Sequence, residues 1–228
     1  MQTRIDYVGN ARAPVIVIED LWPDASALVD CAAQHTNYGS SSLYYPGLRA
    51  DAPPNYAGAV LSQLASLVRA TFALADEPVI VSSTFSMVLT PPEKLVPFQR
   101  VPHFDSTDQN TLALLHYLCG PDRGGTSFYR HRSTGLEVIT AENQPQYIRT
   151  VNAEVKEKGM PLAQYVDGDT DLFERIARYD AAFNRALIYR GSMLHSVNVA
   201  PGFVPDPNPR TGRLTVNTFL NLGSKKNS

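Results

Sequence analysis

Residues 111–118 read TLALLHYL, a short run rich in β-formers between turn residues, the pattern of a strand. Successive side chains of an extended chain alternate between faces, so Ala113, Leu115 and Tyr117 share one side and Leu114, His116 and Leu118 the other. This parity puts Tyr117 and His116 on opposite faces. Runs of the same character recur at 79–81, 84–89, 125–130, 186–190 and 213–220. Short strands punctuated by turns indicate a sandwich or barrel of mostly antiparallel strands.

Upstream, residues 14–19 (PVIVIE) form a further strand, and Trp22-Pro23-Asp24 precedes a helix with Ala25, Leu28, Val29 and Ala32 on one stripe. Residues 38–55, rich in Gly, Ser, Tyr and Pro, read as a long loop. A second helix covers about 56–74 with Val60, Leu64, Leu67, Val68 and Phe72 on one face. Between the later strands, residues 142–184 read as a helical insertion, notably 171–183 with Leu172, Ile176, Tyr179 and Phe183 near one face. No repeat or linker divides the chain, so one domain is expected over 1–228. Its parts are an N-terminal strand with packing helices (14–75), core strands (79–140 and 185–222) and the insertion (141–184).

The 228 residues are 43% hydrophobic and 18% charged, enough for a full core. The net charge is −2 with scattered basic residues, which excludes a nucleic-acid groove and gives no footprint for an anionic membrane surface. No apolar stretch reaches the roughly 18 to 20 residues of a membrane span, and the first 20 residues lack the order of a secretory signal. A cytoplasmic location is expected. Cys31 and Cys119 lie far apart, against a disulfide framework or thiolate zinc site. His35 and His116 are read as structural.

Pro102-His103-Phe104-Asp105 places a histidine and an aspartate two apart, where an extended strand aims both at one metal ion. Chance supplies about 0.3 such pairs in this composition, so the pair alone is weak. The segments downstream of it carry more weight. The strand 111–118 comes next, then Gly124-Gly125-Thr126-Ser127-Phe128, then Arg185 to Tyr189 leading into Met193-Leu194-His195-Ser196-Val197, and finally Arg213-Leu214-Thr215.

This ordered set resembles the iron(II)- and 2-oxoglutarate-dependent dioxygenases of the prolyl-hydroxylase-like branch, over roughly residues 89–222. Residues 15–33 fit that branch's usual start, and 45–50 (YPGLRA) resemble a YPG-x-R-A stretch of one bacterial group in the superfamily. The resemblance implies an α+β, mainly β fold: a double-stranded β-helix, the cupin-like jelly roll, with flanking N-terminal helices and a helical insertion. It implies iron(II), 2-oxoglutarate and dioxygen as cofactors. His103, Asp105 and His195 become the metal ligands and catalytic set. Two imidazoles and one carboxylate on one face of an octahedral ion leave three adjacent positions open, for a chelating oxo-acid and dioxygen.

The far carboxylate of 2-oxoglutarate then points into the barrel, where a buried charge must be paired. The resemblance assigns that role to Arg213, with the Thr215 hydroxyl and the Tyr117 phenol on the same carboxylate. An 18-residue gap separates His195 from Arg213 because 201–209 (PGFVPDPNP) intervene, which makes Arg210 a rival anchor. Arg213 is preferred since it opens an unbroken strand pattern, whereas Arg210 sits in a Pro/Gly turn. The Gly-Gly turn leaves open which of Thr126 and Ser127 faces the metal.

Arg100 and Arg130 are candidates for contact with an anionic substrate. The expected reaction is hydroxylation of a substrate C–H bond with release of succinate and carbon dioxide; Asp105 argues against the halogenating variant. The alternatives are a non-catalytic binding or regulatory protein on the same barrel, or another metal-dependent activity such as a cupin-like isomerase. Small molecule, peptide and protein all stay open as substrate, and so does a homodimer. The stretches 38–55 and 142–184 are candidate lids.

Overall fold

In the computed structural model, residues 1–34, 37–39, 45–199 and 202–222 are described. In chain order the elements are β1 (Gln2–Val8), β2 (Ala13–Glu19), α1 (Ala25–Gln34), β3 (Gly47–Asp51), α2 (Tyr56–Phe72), β4 (Pro78–Val88), β5 (Leu112–Tyr117) and β6 (Gly125–His131). They continue with α3 (Gln144–Lys158), β7 (Phe173–Asp180), β8 (Ala186–Arg190), β9 (His195–Asn198) and β10 (Leu214–Leu222). Seven strands form one sheet in the order β1-β2-β8-β5-β10-β4-β3, and three form a second in the order β7-β6-β9. Every pairing between these strands is antiparallel. The architecture is mainly β and jelly-roll-like.

Alternation along the strands of the large sheet divides its residues between two cores. One face carries Ile16, Ile18, Leu112, Leu114, Ile188, Leu214 and Val216, which bury Leu28 and Ala32 of α1 and Val60, Leu64, Val68 and Phe72 of α2. The other carries Val15, Val17, Ala113, Leu115, Tyr117, Leu187 and Tyr189, packed on Phe128 and Tyr179 of the small sheet. Tyr117 therefore faces between the sheets and His116 faces the helices. His116 there is bonded to the Tyr56 hydroxyl (2.9 Å) and to Asn184 Oδ1 (3.0 Å). His35 lies outside the described residues.

Three elements differ from the sequence reading. The run 171–183 is not helical: Phe173–Asp180 is a strand paired along β6, with a bulge at Phe128/Tyr129. Its apolar spacing suits a helix nearly as well, and only the nonlocal partner decides. The insertion 141–184 is thus part helix and part sheet. Within 38–55 the chain forms β3 along β4; residues 40–44 of that stretch lie outside the described residues. β1, mostly exposed, pairs with β2 across a turn at Gly9, φ 66°. A Cβ on Gly9 would sit 2.1 Å from Glu137 Oε2, the carboxylate that accepts the Asn10 and Ala11 amides. Among the described residues no helix is long and apolar enough to cross a membrane.

Candidate metal and co-substrate site

The backbone builds the site before any side chain acts. His103 and His195 exchange both backbone hydrogen bonds at 2.8 Å, an isolated antiparallel bridge. Asp105 donates its amide to the Gly191 carbonyl at 2.7 Å. Opposed residues of an antiparallel pair share a face, and a spacing of two brings Asp105 to that same face. The imidazole centroids lie 4.4 Å apart. Asp105 Oδ1 is 3.8 Å from His103 Nε2, and Oδ2 is 3.5 Å from His195 Nε2. One donor atom from each of the three falls within 4.8 Å of the others, and among the described residues no other such trio occurs.

Protonation favours ligation. The Met193 carbonyl lies 2.8 Å from His195 Nδ1; a carbonyl only accepts, so Nδ1 carries a proton and Nε2 is the nitrogen turned toward Asp105. Partial burial, then the charges of His195 and Arg49, lower the pKa of the His103 imidazole from its ordinary value. Burial raises the Asp105 carboxyl while His195 and Arg49 pull it back. The His103 side chain still keeps 52% of its surface open, against 7% for His195: the trio lines a mouth that a ligand can enter from the His103 side. Tyr189 and Phe128 wall the His195 ring at 5.0 and 6.3 Å between centroids.

Arg213, at the start of β10, is 4% exposed. Its Nη2 donates to the Gly125 carbonyl at 2.9 Å, its Cζ lies 5.8 Å from the Tyr117 ring centroid, and its Nε, also buried, has no partner. A buried guanidinium without a carboxylate is what an incoming carboxylate would complete. The rival Arg210 is on the surface, paired with Asp30.

The other sequence-predicted residues are arranged less simply. The Tyr117 hydroxyl donates to Thr126 Oγ1 at 2.7 Å, leaving the Thr126 proton free for a ligand. Thr126 opposes Val197 and shares the inward parity of Phe128 and His195, whereas Ser127 opposes Ser196 and accepts from Asn198. Thr126 is thus the inward residue of that turn. Thr215 faces inward beside Tyr117, but its hydroxyl is engaged by Asn217 Oδ1 at 2.8 Å.

Arg100 is bound to the Leu95 and Pro161 carbonyls, and Arg130 to Glu137 and Glu174. The sequence reading missed Tyr45 and Arg49, whose guanidinium lies 4.2 Å from the Tyr45 ring centroid. The available signal was their spacing, four apart with Gly47 between them.

A family model described as a family of unknown function (DUF6445) matches residues 1–220. No curated protein matches the sequence. Among solved structures, HygX from Streptomyces hygroscopicus, determined with nickel and 2-oxoglutarate bound, superposes with a TM-score of 0.50 at 10% identity, over 92% of this chain and 83% of HygX. HygX with nickel, 2-oxoglutarate and hygromycin B gives 0.50 at 9% identity over the same shares. EvdMO1 gives 0.50 at 14% identity, over 98% of this chain and 56% of EvdMO1. At these identities the likeness is one of fold.

Proposed function

The chain belongs to the family of unknown function DUF6445, and we propose that it is an iron(II)- and 2-oxoglutarate-dependent dioxygenase that hydroxylates a substrate C–H bond. One observation carries the reading: one ligand atom each of His103, Asp105 and His195 lies within 4.8 Å of the others, on a fold that also buries the partnerless Nε of Arg213. The double-stranded β-helix is the finer description of the two sheets that this reading adopts. The structures of HygX with nickel and 2-oxoglutarate on a similar fold support it.

His103 and His195 would hold the iron through Nε2 and Asp105 through a carboxylate oxygen, a facial set that leaves three positions free. Iron(II) chelated by 2-oxoglutarate supplies the activation of dioxygen and the oxidation of the substrate, with succinate and carbon dioxide released. The protein's own contributions are orientation and charge. The Met193 carbonyl fixes the His195 tautomer and ring angle. Arg213 would take the far carboxylate of 2-oxoglutarate with Nε and Nη2 in parallel, and Thr126, already accepting from Tyr117, would donate its remaining proton. Tyr189 and Phe128 exclude water behind His195.

The test is anaerobic addition of iron(II) and then 2-oxoglutarate to the metal-free protein. A visible metal-to-ligand charge-transfer band that His103→Ala abolishes is expected. Folded, iron-loaded wild type without the band overturns the reading and leaves a binding protein on the same barrel.

A further inference from the structure

The stretch Tyr45-Pro46-Gly47-Leu48-Arg49 is built into the barrel wall in a way the proposed co-substrate does not use. Cross-strand pairing aligns Tyr117 with Thr215, Thr215 with Ser86, and Ser86 with Arg49. Directly opposed residues share a face. Since Tyr117 faces between the sheets, so does Arg49, two strand spacings or about 10 Å of sheet away from β10. Both sides of the Arg49 backbone are pinned, by Ser86 in β4 and by paired 2.9 Å bonds with Gly39.

Tyr45 lies just before the strand, across a tight turn closed by the Gly47 amide on the Tyr45 carbonyl at 2.9 Å. A Cβ on Gly47 would lie 1.8 Å from the Met87 carbonyl oxygen, so the position is empty by necessity. The Arg49 guanidinium lies 4.2 Å from the Tyr45 ring centroid. Arg49 Nε and the Tyr45 hydroxyl are both buried without a hydrogen-bond partner of good geometry, although the Ser86 hydroxyl stands beside the phenol. Among the described residues no carboxylate forms an ion pair with Arg49, although the Arg49 charge reaches His103 and Asp105 and, with Arg213, Tyr45. Thr84, Ser86 and Asn217 continue the polar wall on the same face.

We propose that Arg49 and the Tyr45 hydroxyl form a second anion seat beside the metal site, which receives a carboxylate of the substrate. The inference rests on the dioxygenase reading and adds the substrate class. 2-Oxoglutarate has one carboxylate to offer Arg213 once its oxo-acid end is on the metal. A second cation in the same space, on a different strand, needs a second anion, and a guanidinium beside a phenol matches a carboxylate with charge-assisted donors.

The test keeps Arg213 occupied. Protein holding manganese(II) in place of iron, with saturating 2-oxoglutarate, is titrated with fluoroacetate and, separately, with the neutral fluoroacetamide. Paramagnetic broadening of the fluorine resonance reports probe bound near the metal. Broadening of the 2-oxoglutarate protons reports a folded, loaded site in the same sample. Fluoroacetate is expected to broaden and fluoroacetamide not. Arg49→Met should weaken the fluoroacetate effect about 10-fold to 100-fold, and Arg49→Lys should restore part of it, with 2-oxoglutarate broadening present in both variants.

Equal broadening by the amide overturns the seat, as does fluoroacetate broadening that survives Arg49→Met. Loss of the 2-oxoglutarate effect in Arg49→Met, with Arg49→Lys retaining it, overturns it by assigning the guanidinium to the co-substrate. Absence of 2-oxoglutarate broadening in wild type refutes the dioxygenase reading itself, and the seat falls with it.

Discussion

Replacing Arg213 by Met separates a residue kept for a ligand from one kept for the fold. In the metal-free protein the Arg213 guanidinium is nearly buried, makes one hydrogen bond to the Gly125 carbonyl and leaves Nε without a partner. Removing the bond to a charged donor costs about 1.5–3 kcal/mol. Replacing an uncompensated buried ion by an apolar side chain of similar length returns about 1–4 kcal/mol. The two oppose one another, so Arg213→Met is expected to unfold in urea within about 2.5 kcal/mol of wild type. Binding responds differently. Two charge-assisted bonds to the far carboxylate contribute together about 3–6 kcal/mol, so half-saturation by 2-oxoglutarate, read from the anaerobic charge-transfer band, should rise about 10² to 10⁴-fold. An Arg held in an internal ion pair would behave oppositely, losing about 3–5 kcal/mol of stability. A variant that loses that much stability and still saturates at the wild-type concentration refutes the argument.

Three further outcomes rest on particular contacts. A Cβ at Gly191 would lie 3.3 Å from Asp105 Cβ and 3.4 Å from Thr111 Cγ2; Gly191→Ala should weaken manganese(II) binding about 10-fold to 100-fold, measured by electron paramagnetic resonance titration, and unchanged affinity would contradict the packing argument. Burial, offset in part by the bond to Asn184, pushes the His116 imidazole down to about 4. The unfolded chain takes up that proton near 6.5 and the folded chain only near 4, so stability is lost as pH falls through that window, by about 3 kcal/mol; urea unfolding of His116→Gln should show a correspondingly flatter pH dependence. Ala73 caps α2 with φ 51° and donates its amide to the Arg69 carbonyl; Ala73→Gly should stabilise by about 1 kcal/mol in thermal unfolding.

What could be read from the sequence is what local periodicity controls. The alternation in 111–118 put Tyr117 and His116 on opposite faces, and the strand pattern after Arg213, against the turn around Arg210, separated a buried arginine from an exposed one. Features set by nonlocal partners were not legible. β3 contains only Leu48 and Ala50 as apolar residues, so its strand character comes from β4, and Arg49 was hidden in what read as a loop. β7 has apolar residues that fit either period until β6 is placed beside it. The Thr215 hydroxyl could be assigned to a ligand from its type and position, but its choice of Asn217 depends on side-chain geometry that no spacing encodes.

The strand order has a consequence for synthesis. β10, the last strand in the chain, lies in the interior of the large sheet between β5 and β4, with Leu214 and Val216 in the helix-facing core. While the chain emerges from the ribosome, β4 and β5 cannot pair with each other; each waits with an open edge for residues 214–222. Loss of those residues alone would leave the sheet split into two pieces with two unsatisfied edges, the arrangement most prone to pair with another chain. Until residues 214–222 are in place those two edges stay open, and a chaperone that shields strand edges has its task there.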